Sequence, residues 1–346
     1  MKKEPDPWVN LVRNSIKNLE ELAESIELED EEKIEITKKQ LKLRITPYYL
    51  DLIKDNKILR RTVVPTNDEF NVVPEEAEDP LAEDIYKKTD CIIHKYRNRV
   101  LFTVTNFCST NCRFCTRSRM IGKEKNFTKE QWDKGIKYIA DNPIIRDVII
   151  SGGDPLTLSD DKLDYLLSNL KNIPHLDIIR IGTKIPVVLP SRITNDLVNI
   201  LKKYKPLYIN IHFTHKSEIT EQCKQSINKL LDAGAILGSQ TVLLKGINDD
   251  AIVLEELFYE LLKIGIKPYY LYQMDRINGG SHFRCDLDTM VNIMKKLIGY
   301  NSGLAIPEFI IDTEIGKIPL RLDYVTKNED GKYVLTNFEK SISMIY

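Results

Sequence analysis

The chain has 346 residues, with 50 Lys and Arg against 51 Asp and Glu and 42% hydrophobic residues. That length suits one large α/β domain with a smaller extension, and the charge balance gives no electrostatic case for a nucleic-acid partner. No apolar run reaches the roughly 20 residues that span a bilayer, and MKKEPDPWVN lacks the apolar stretch of a secretion signal, so a cytoplasmic protein without a membrane segment is expected.

Residues 1–90 are highly charged. LVRNSIKNLEELAESI (11–26) spaces its apolar residues for a helix, and Pro47, Pro65, Pro74 and Pro80 punctuate an irregular stretch after it. This region reads as a helical and irregular arm that wraps the rest, not as a second catalytic domain. From residue 99 the pattern changes. β-branched apolar runs at 99–105, 146–152, 176–183, 207–213, 236–244 and 267–275 read as strands. Helical patterns at 128–142, 160–173, 193–204, 217–234 and 250–265 separate them, and a helix at 286–300 precedes a strand-like AIPEFIID. Strands alternating with helices imply a parallel sheet. Six such units predict an open, partial (β/α)6 barrel over 91–325, with 326–346 as a C-terminal tail; a doubly wound sheet is the other arrangement the alternation allows.

The chemistry concentrates in TVTNFCSTNCRFCTRSR, where Cys108, Cys112 and Cys115 have C-x3-C-x2-C spacing. Three thiolates on one loop can hold three irons of a [4Fe–4S] cube, which leaves the fourth iron open to a substrate or cofactor. Buried structural cysteines and a zinc site are the competing readings. A closed zinc site normally takes four ligands in paired C-x2-C spacings, and no second cysteine pair exists here. Disulfides are not expected, because Cys91, Cys223 and Cys285 are scattered and no secretion signal is present. Other polar residues recur at one end of the expected strands. Gly152, Gly153 and Asp154 follow the second, His212 ends the fourth, Gln240 lies in the fifth and Asp275 ends the sixth. In barrels that end carries the active site.

The cysteine run, SGGDPL after the next strand and the β/α alternation together resemble the radical S-adenosylmethionine (SAM) enzymes. A closer resemblance, from about residue 45 to 325, is to the lysine 2,3-aminomutase family. It is carried by ITPYYLDLI, VVPTNDEF, EDPLAED, HKYRNRVLF, CRFCTRSR, IPHLDIIRIGTKIPVVLPSRIT, LGSQTVLLKGIND and PYYLYQMD. That family combines SAM with pyridoxal 5′-phosphate (PLP) and moves an amino group from the α to the β carbon of an amino acid. The resemblance implies the following roles. Cys108, Cys112 and Cys115 hold the cluster. Gly152, Gly153 and Asp154 meet the amino end of SAM, with His212 and Gln240 nearby. Lys317, in IIDTEIGKIPL, is the PLP lysine, Arg99 meets the PLP phosphate and Tyr272 lies beside the ring. Arg117 pairs with the substrate carboxylate, and Asp275 and Asp312 bind its distal ammonium. A buried acid pair is costly without a cation, so the substrate is expected to be basic: lysine, with arginine or ornithine as rivals. The gap from Asp312 to Lys317 is shorter than the family's glycine-rich run.

The resemblance also implies a flavodoxin or ferredoxin as electron donor and a homo-oligomer. Cysteines are absent after Cys285, where larger members carry a zinc-binding group, so no zinc is expected. Two other readings remain: a branch that acts on elongation factor P lysine chemistry, and a non-enzymatic iron–sulfur sensor.

Overall fold

In the computed structural model, residues 6–36, 41–122, 126–322, 324–336 and 343–345 are described. Parts of the expected arm (1–5, 37–40) and tail (337–342, 346) lie outside them. Ten strands form one sheet in chain order: β1 (Lys87–Thr89), β2 (Ile92–Tyr96), β3 (Arg99–Thr105), β4 (Asp147–Gly152), β5 (Ile178–Thr183), β6 (Leu207–His212), β7 (Ala235–Leu243), β8 (Lys267–Gln273), β9 (Glu308–Thr313) and β10 (Gly316–Pro319). Pairing is parallel from β3 through β9 and antiparallel at both ends, where β1 and β2 precede β3 and β10 folds back on β9.

Side-chain alternation along the parallel strands separates two environments. Val100, Phe102 and Val104 of β3, Val148 and Ile150 of β4, Ile179 and Ile181 of β5, and Ile209 and Ile211 of β6 are buried in the main apolar core. Register aligns them, Phe102 with Ile150, Ile150 with Ile181, and Ile181 with Ile209. The helices supply the other half of that core. Asp160–Lys171 buries Leu163, Leu166, Leu167 and Leu170, and Ala251–Lys263 buries Leu254, Leu257, Phe258 and Leu261, each one stripe at helical spacing. Thr128 with Gln131 and Asp250 cap their helices where the sequence turns from loop to apolar period. The intervening strand residues, Arg99, Leu101, Ile149, Ser151, Arg180 and Gly182 among them, face a cavity on the sheet's other side.

The sheet curls until its ends meet through side chains. Tyr96 Oη of β2 accepts a hydrogen bond from Lys317 N of β10 at 3.1 Å. Lys95 Nζ donates to the Thr313 carbonyl, and Tyr86 Oη to the Glu314 carbonyl at 3.3 Å.

Two segments differ from expectation. The helix read over 11–26 is two short helices, Pro7–Arg13 and Leu19–Ala23. Between them Ile16 pairs with Ile45 in an antiparallel bridge, and Asn18 caps the second helix by accepting from Glu21 N at 2.8 Å. A long-range backbone pair and a cap outweigh the local apolar period. Beyond the main sheet, β11 (Val325–Lys327), β12 (Tyr333–Thr336) and β13 (Ser343–Ile345) form a small antiparallel sheet in what reads as a tail. No helix among the described residues is long and apolar enough to cross a membrane.

The N-terminal segment shares the main core through Trp8, Leu22 and Tyr49. Trp8 covers the fully buried guanidinium of Arg192 at 4.5 Å, whose Nε and Nη2 donate to the carbonyls of Leu156 and Leu158 at 2.8 and 2.9 Å. Trp8→Ala is expected to cost about 3 kcal/mol by opening a cavity over that charge, seen as a lower urea midpoint.

Candidate active site

Every residue singled out from the sequence lines one cavity of about 450 Å3 enclosed by the curled sheet. It runs from the cysteine loop at the C-terminal strand ends down to Arg99, Asp147 and Arg180 near the opposite ends.

The cysteine loop leaves β3 and docks against the end of β4. Gly153 N donates to the Thr105 carbonyl at 2.5 Å and Asp154 N to the Phe107 carbonyl at 2.9 Å. A Cβ on Gly152 would overlap the Thr105 carbonyl oxygen, and one on Gly153 the Phe107 carbonyl oxygen. Gly152 also has φ +116°, which side-chain-bearing residues rarely adopt. The glycine pair therefore lets the cysteine loop approach. On the loop's other side Asn111 N donates to Arg44 O at 2.9 Å, and Arg113 Nη1 to Leu41 O at 2.8 Å. Between these supports Cys108, Cys112 and Cys115 turn into the cavity as free thiols. Burial pushes all three thiols up, Cys112 to about 12, and neighbouring thiols add to the effect at Cys108 and Cys112. Thiolates there need a cationic centre beside them. Among the described residues no three or more His, Cys, Asp or Glu side chains gather as a group to hold a metal ion. A cube instead takes one thiolate on each of three irons, so this donor set fits it.

Asp154 lines the cavity and is also engaged within the protein. Its carboxylate accepts from Leu156 N at 3.1 Å, Thr183 Oγ1 at 2.7 and 2.9 Å, and Lys184 N at 2.7 Å. Burial raises it to about 6 against the lowering effect of those bonds. It fastens the ends of β4 and β5 together. Lys184, unremarked in the sequence, is buried and donates to Glu218 Oε1 at 2.7 Å. Its Nζ also lies 3.5 Å from His212 Nδ1. Burial and that ammonium hold His212 well below the usual histidine range, so it is neutral. Its Nε2 is buried without a protein partner. Gln240 lies beside it, in register across β6 and β7.

Three consecutive residues tie the loop to the other half of the cavity. Cys115 is a thiol of the loop, Thr116 Oγ1 donates to Asp275 Oδ2, and Arg117 forks onto Glu83, Nε to Oε2 at 3.0 Å and Nη2 to Oε1 at 2.5 Å. Burial alone would lower Arg117, and the Glu83 carboxylate holds it above its ordinary value. Asp275 is raised to about 6 by burial and by Asp312, opposed by Thr116. Lys317 pairs with Asp312 across the β9–β10 ladder, and its Nζ bonds that carboxylate. The same Nζ lies 4.8 Å from the Tyr272 ring centre. Arg99 stacks over Tyr96 at 4.0 Å. Lys317 stands within β10. Glu83, Thr116 and Lys184 escaped the sequence reading, though EDPLAED, CTRSR and GTK carry them.

This arrangement can be compared with known proteins. The family described as the radical SAM superfamily matches residues 102–255, and that described as lysine-2,3-aminomutase matches 294–346. The L-lysine 2,3-aminomutase of Clostridium subterminale is 43% identical over 344 residues, 97% of this chain and 83% of that one. The chain belongs to the lysine 2,3-aminomutase family. The glutamate 2,3-aminomutase of Clostridioides difficile is 41% identical over 348 residues (97% and 82%), and the L-lysine 2,3-aminomutase of Escherichia coli 34% over 328 residues (92% and 95%). The protein is thus a radical SAM aminomutase, an isomerase that uses an iron–sulfur cluster and SAM. The sensor reading falls with that.

Gly153→Ala should push the cysteine loop off β4. Iron and sulfide bound after anaerobic reconstitution should fall several-fold, with the far-ultraviolet circular dichroism unchanged.

Proposed function

We propose that this aminomutase, a partial (β/α)6 barrel with a helical N-terminal extension, uses PLP to move the α-amino group of a free basic amino acid, L-lysine ahead of arginine or ornithine, to the β carbon. The observation that carries this reading is the charge left over in the cavity. Arg117 is matched by Glu83, Arg180 by Asp147, Lys184 by Glu218 and Lys317 by Asp312. Among the described residues, four lining charges have no ion-pair partner: Asp154 and Lys95 are each satisfied by two or more neutral groups of the protein, whereas Asp275 is bonded by a single hydroxyl and Arg99 rests on a tyrosine ring. Uncompensated buried charge is expensive, so a fitting ligand set brings a cation to Asp275 and an anion to Arg99. The distal ammonium of lysine supplies the first and the PLP phosphate the second.

Lys317 would hold PLP through its amine. When bound, the cluster and SAM supply a 5′-deoxyadenosyl radical, and PLP spreads unpaired electron density over its ring. The chain's own residues bind and orient. Once the Lys317 amine is committed to the cofactor, Asp312 loses its cation and joins Asp275 in favouring a cationic side chain. Arg117 offers Nη1, which the Glu83 fork leaves over, to the substrate carboxylate. The neutral His212 presents Nε2 to SAM. A glutamate side chain would set a carboxylate against Asp275, a like-charge contact that costs several kcal/mol.

Anaerobic incubation with SAM, reductant and, separately, lysine, arginine, ornithine and glutamate should convert lysine to β-lysine fastest. Preferred turnover of glutamate would overturn the reading. Lys317→Ala should abolish turnover, whereas continued interconversion of α- and β-lysine would remove Lys317 from its role. Asp275 binds an ammonium as a carboxylate, so protonation weakens it. With its carboxyl raised to about 6, kcat/KM for lysine should fall about tenfold per pH unit below that value. Asp275→Asn should lower kcat/KM at neutral pH by about 100-fold and abolish that acid limb.

A further inference from the structure

Glu83 is buried, yet it sits at the turn of an otherwise partly exposed segment, Asp79–Tyr86. The residue before it, Ala82, has φ +52°, the one positive φ at a non-glycine residue among those described. Such a conformation persists where surrounding contacts over-determine it. Here the Asp79 carboxylate accepts from Glu83 N and Asp84 N at 3.0 and 2.9 Å. Arg119 pairs with Asp84 at 2.7 Å and with Asp79 at 3.2 Å, and Lys95 Nζ donates to Leu81 O at 3.1 Å. The turn is thus pinned from three sides, and its product is one carboxylate delivered to the Arg117 guanidinium.

Asp275 lies close to Arg117, because it accepts from Thr116, the residue before that arginine, and lines the same cavity. An arginine on a flexible stem, released from Glu83, would find in Asp275 an acid without an ion-pair partner. That pairing would consume the substrate's carboxylate receiver and its ammonium receiver together.

We propose that Glu83 is a positioning residue that keeps Arg117 and Asp275 apart, so that each remains free for one end of the amino acid. This rests on the reading of Arg117 as the carboxylate receiver and Asp275 as the ammonium receiver. The planar fork uses Nε and one hydrogen of Nη2 and fixes the guanidinium plane, so the remaining edge, Nη1 with the second Nη2 hydrogen, is presented. Thr116 restrains Asp275 through its hydroxyl. The charged groups that face Asp275 are Asp312 and Lys317 from β9 and β10, Arg117 from the cysteine loop and Lys95 from β2. Of these, Arg117 is the one whose distance Glu83 controls.

The test uses enzyme reconstituted with cluster, SAM and PLP. Affinities for lysine and for lysinamide, which lacks the carboxylate, are measured by calorimetry across pH. In Glu83→Gln, lysine affinity at neutral pH should fall about tenfold, while kcat at saturating lysine stays within about threefold. The acid limb of lysine binding should move down by about one pH unit, because an arginine has come to Asp275. Adding Arg117→Met should move that limb back up, to its original pH or above it, which a general loosening of the fold would not do. Glu83→Asp, one methylene shorter, should shift the limb in the same direction and serves where Glu83→Gln does not accumulate. Wild-type lysine affinity and an unmoved limb in whichever of these variants folds would overturn the proposal. Arg117→Met alone checks the reading beneath it. That variant should lose the preference for lysine over lysinamide, and a retained preference would sink the Arg117 assignment, whatever Glu83 does.

Discussion

The close approach of two backbones, the cysteine loop after β3 and the glycine pair ending β4, is the constraint on which the rest of the site depends. Two hydrogen bonds hold it, and neither Gly152 nor Gly153 has room for a Cβ. Since the loop continues directly into Thr116 and Arg117, its docking also sets the groups that restrain Asp275 and engage Glu83. The cluster-loop thiol Cys115, Asp275 and Arg117 are thereby fixed relative to one another by a single tripeptide. A radical reaction needs that, because the distance from the source of the radical to the substrate carbon is what selects one hydrogen over its neighbours.

A second constraint follows from enclosing charge. The curled sheet surrounds the cavity with apolar core, where an unpaired ion costs several kcal/mol. The protein answers by pairing nearly every charge with a neighbour from a different element: cysteine loop with the Asp79–Tyr86 turn, β5 with β4, the residue after β5 with the turn after β6, β10 with β9. These pairs orient side chains more than they stabilise the fold.

Much of this was legible in the sequence. The strands from 99 to 275 and the helices between them follow apolar periods that packing reinforces, so Val100, Phe102 and Val104 alternate as a strand facing helices must. The cysteines, His212, Gln240, Arg99, Asp275, Asp312 and Lys317 all reach one cavity. What could not be read was partnership. A glycine pair after a strand suggests close approach, but whether to a ligand or to another loop depends on where residues 105–107 go. That Asp154 fastens β4 to β5 could not be read either, because its partners Thr183 and Lys184 come from the next strand's end. Glu83 was hidden among the acids of an irregular segment, and its burial is decided by an arginine 34 residues later. The break at Asn14–Asn18 is of the same kind, since Ile45 lies far away in sequence.

The short connection before Lys317 illustrates how a departure in length can preserve chemistry. Thr313 pairs with Gly316 and Asp312 with Lys317, so only Glu314 and Ile315 make the turn. Gly316, at φ +123°, accommodates the tightness and sits against the Tyr96 ring, where a larger residue would press on the seam between the sheet ends. A glycine-rich loop would place an amine by its own conformation. Here strand register does so, and directly opposite residues in an antiparallel pair have Cβ atoms only about 5 Å apart. The lysine is therefore held against Asp312, and the same ladder that fixes its position also ties the open edge of the sheet to β2 through Tyr96.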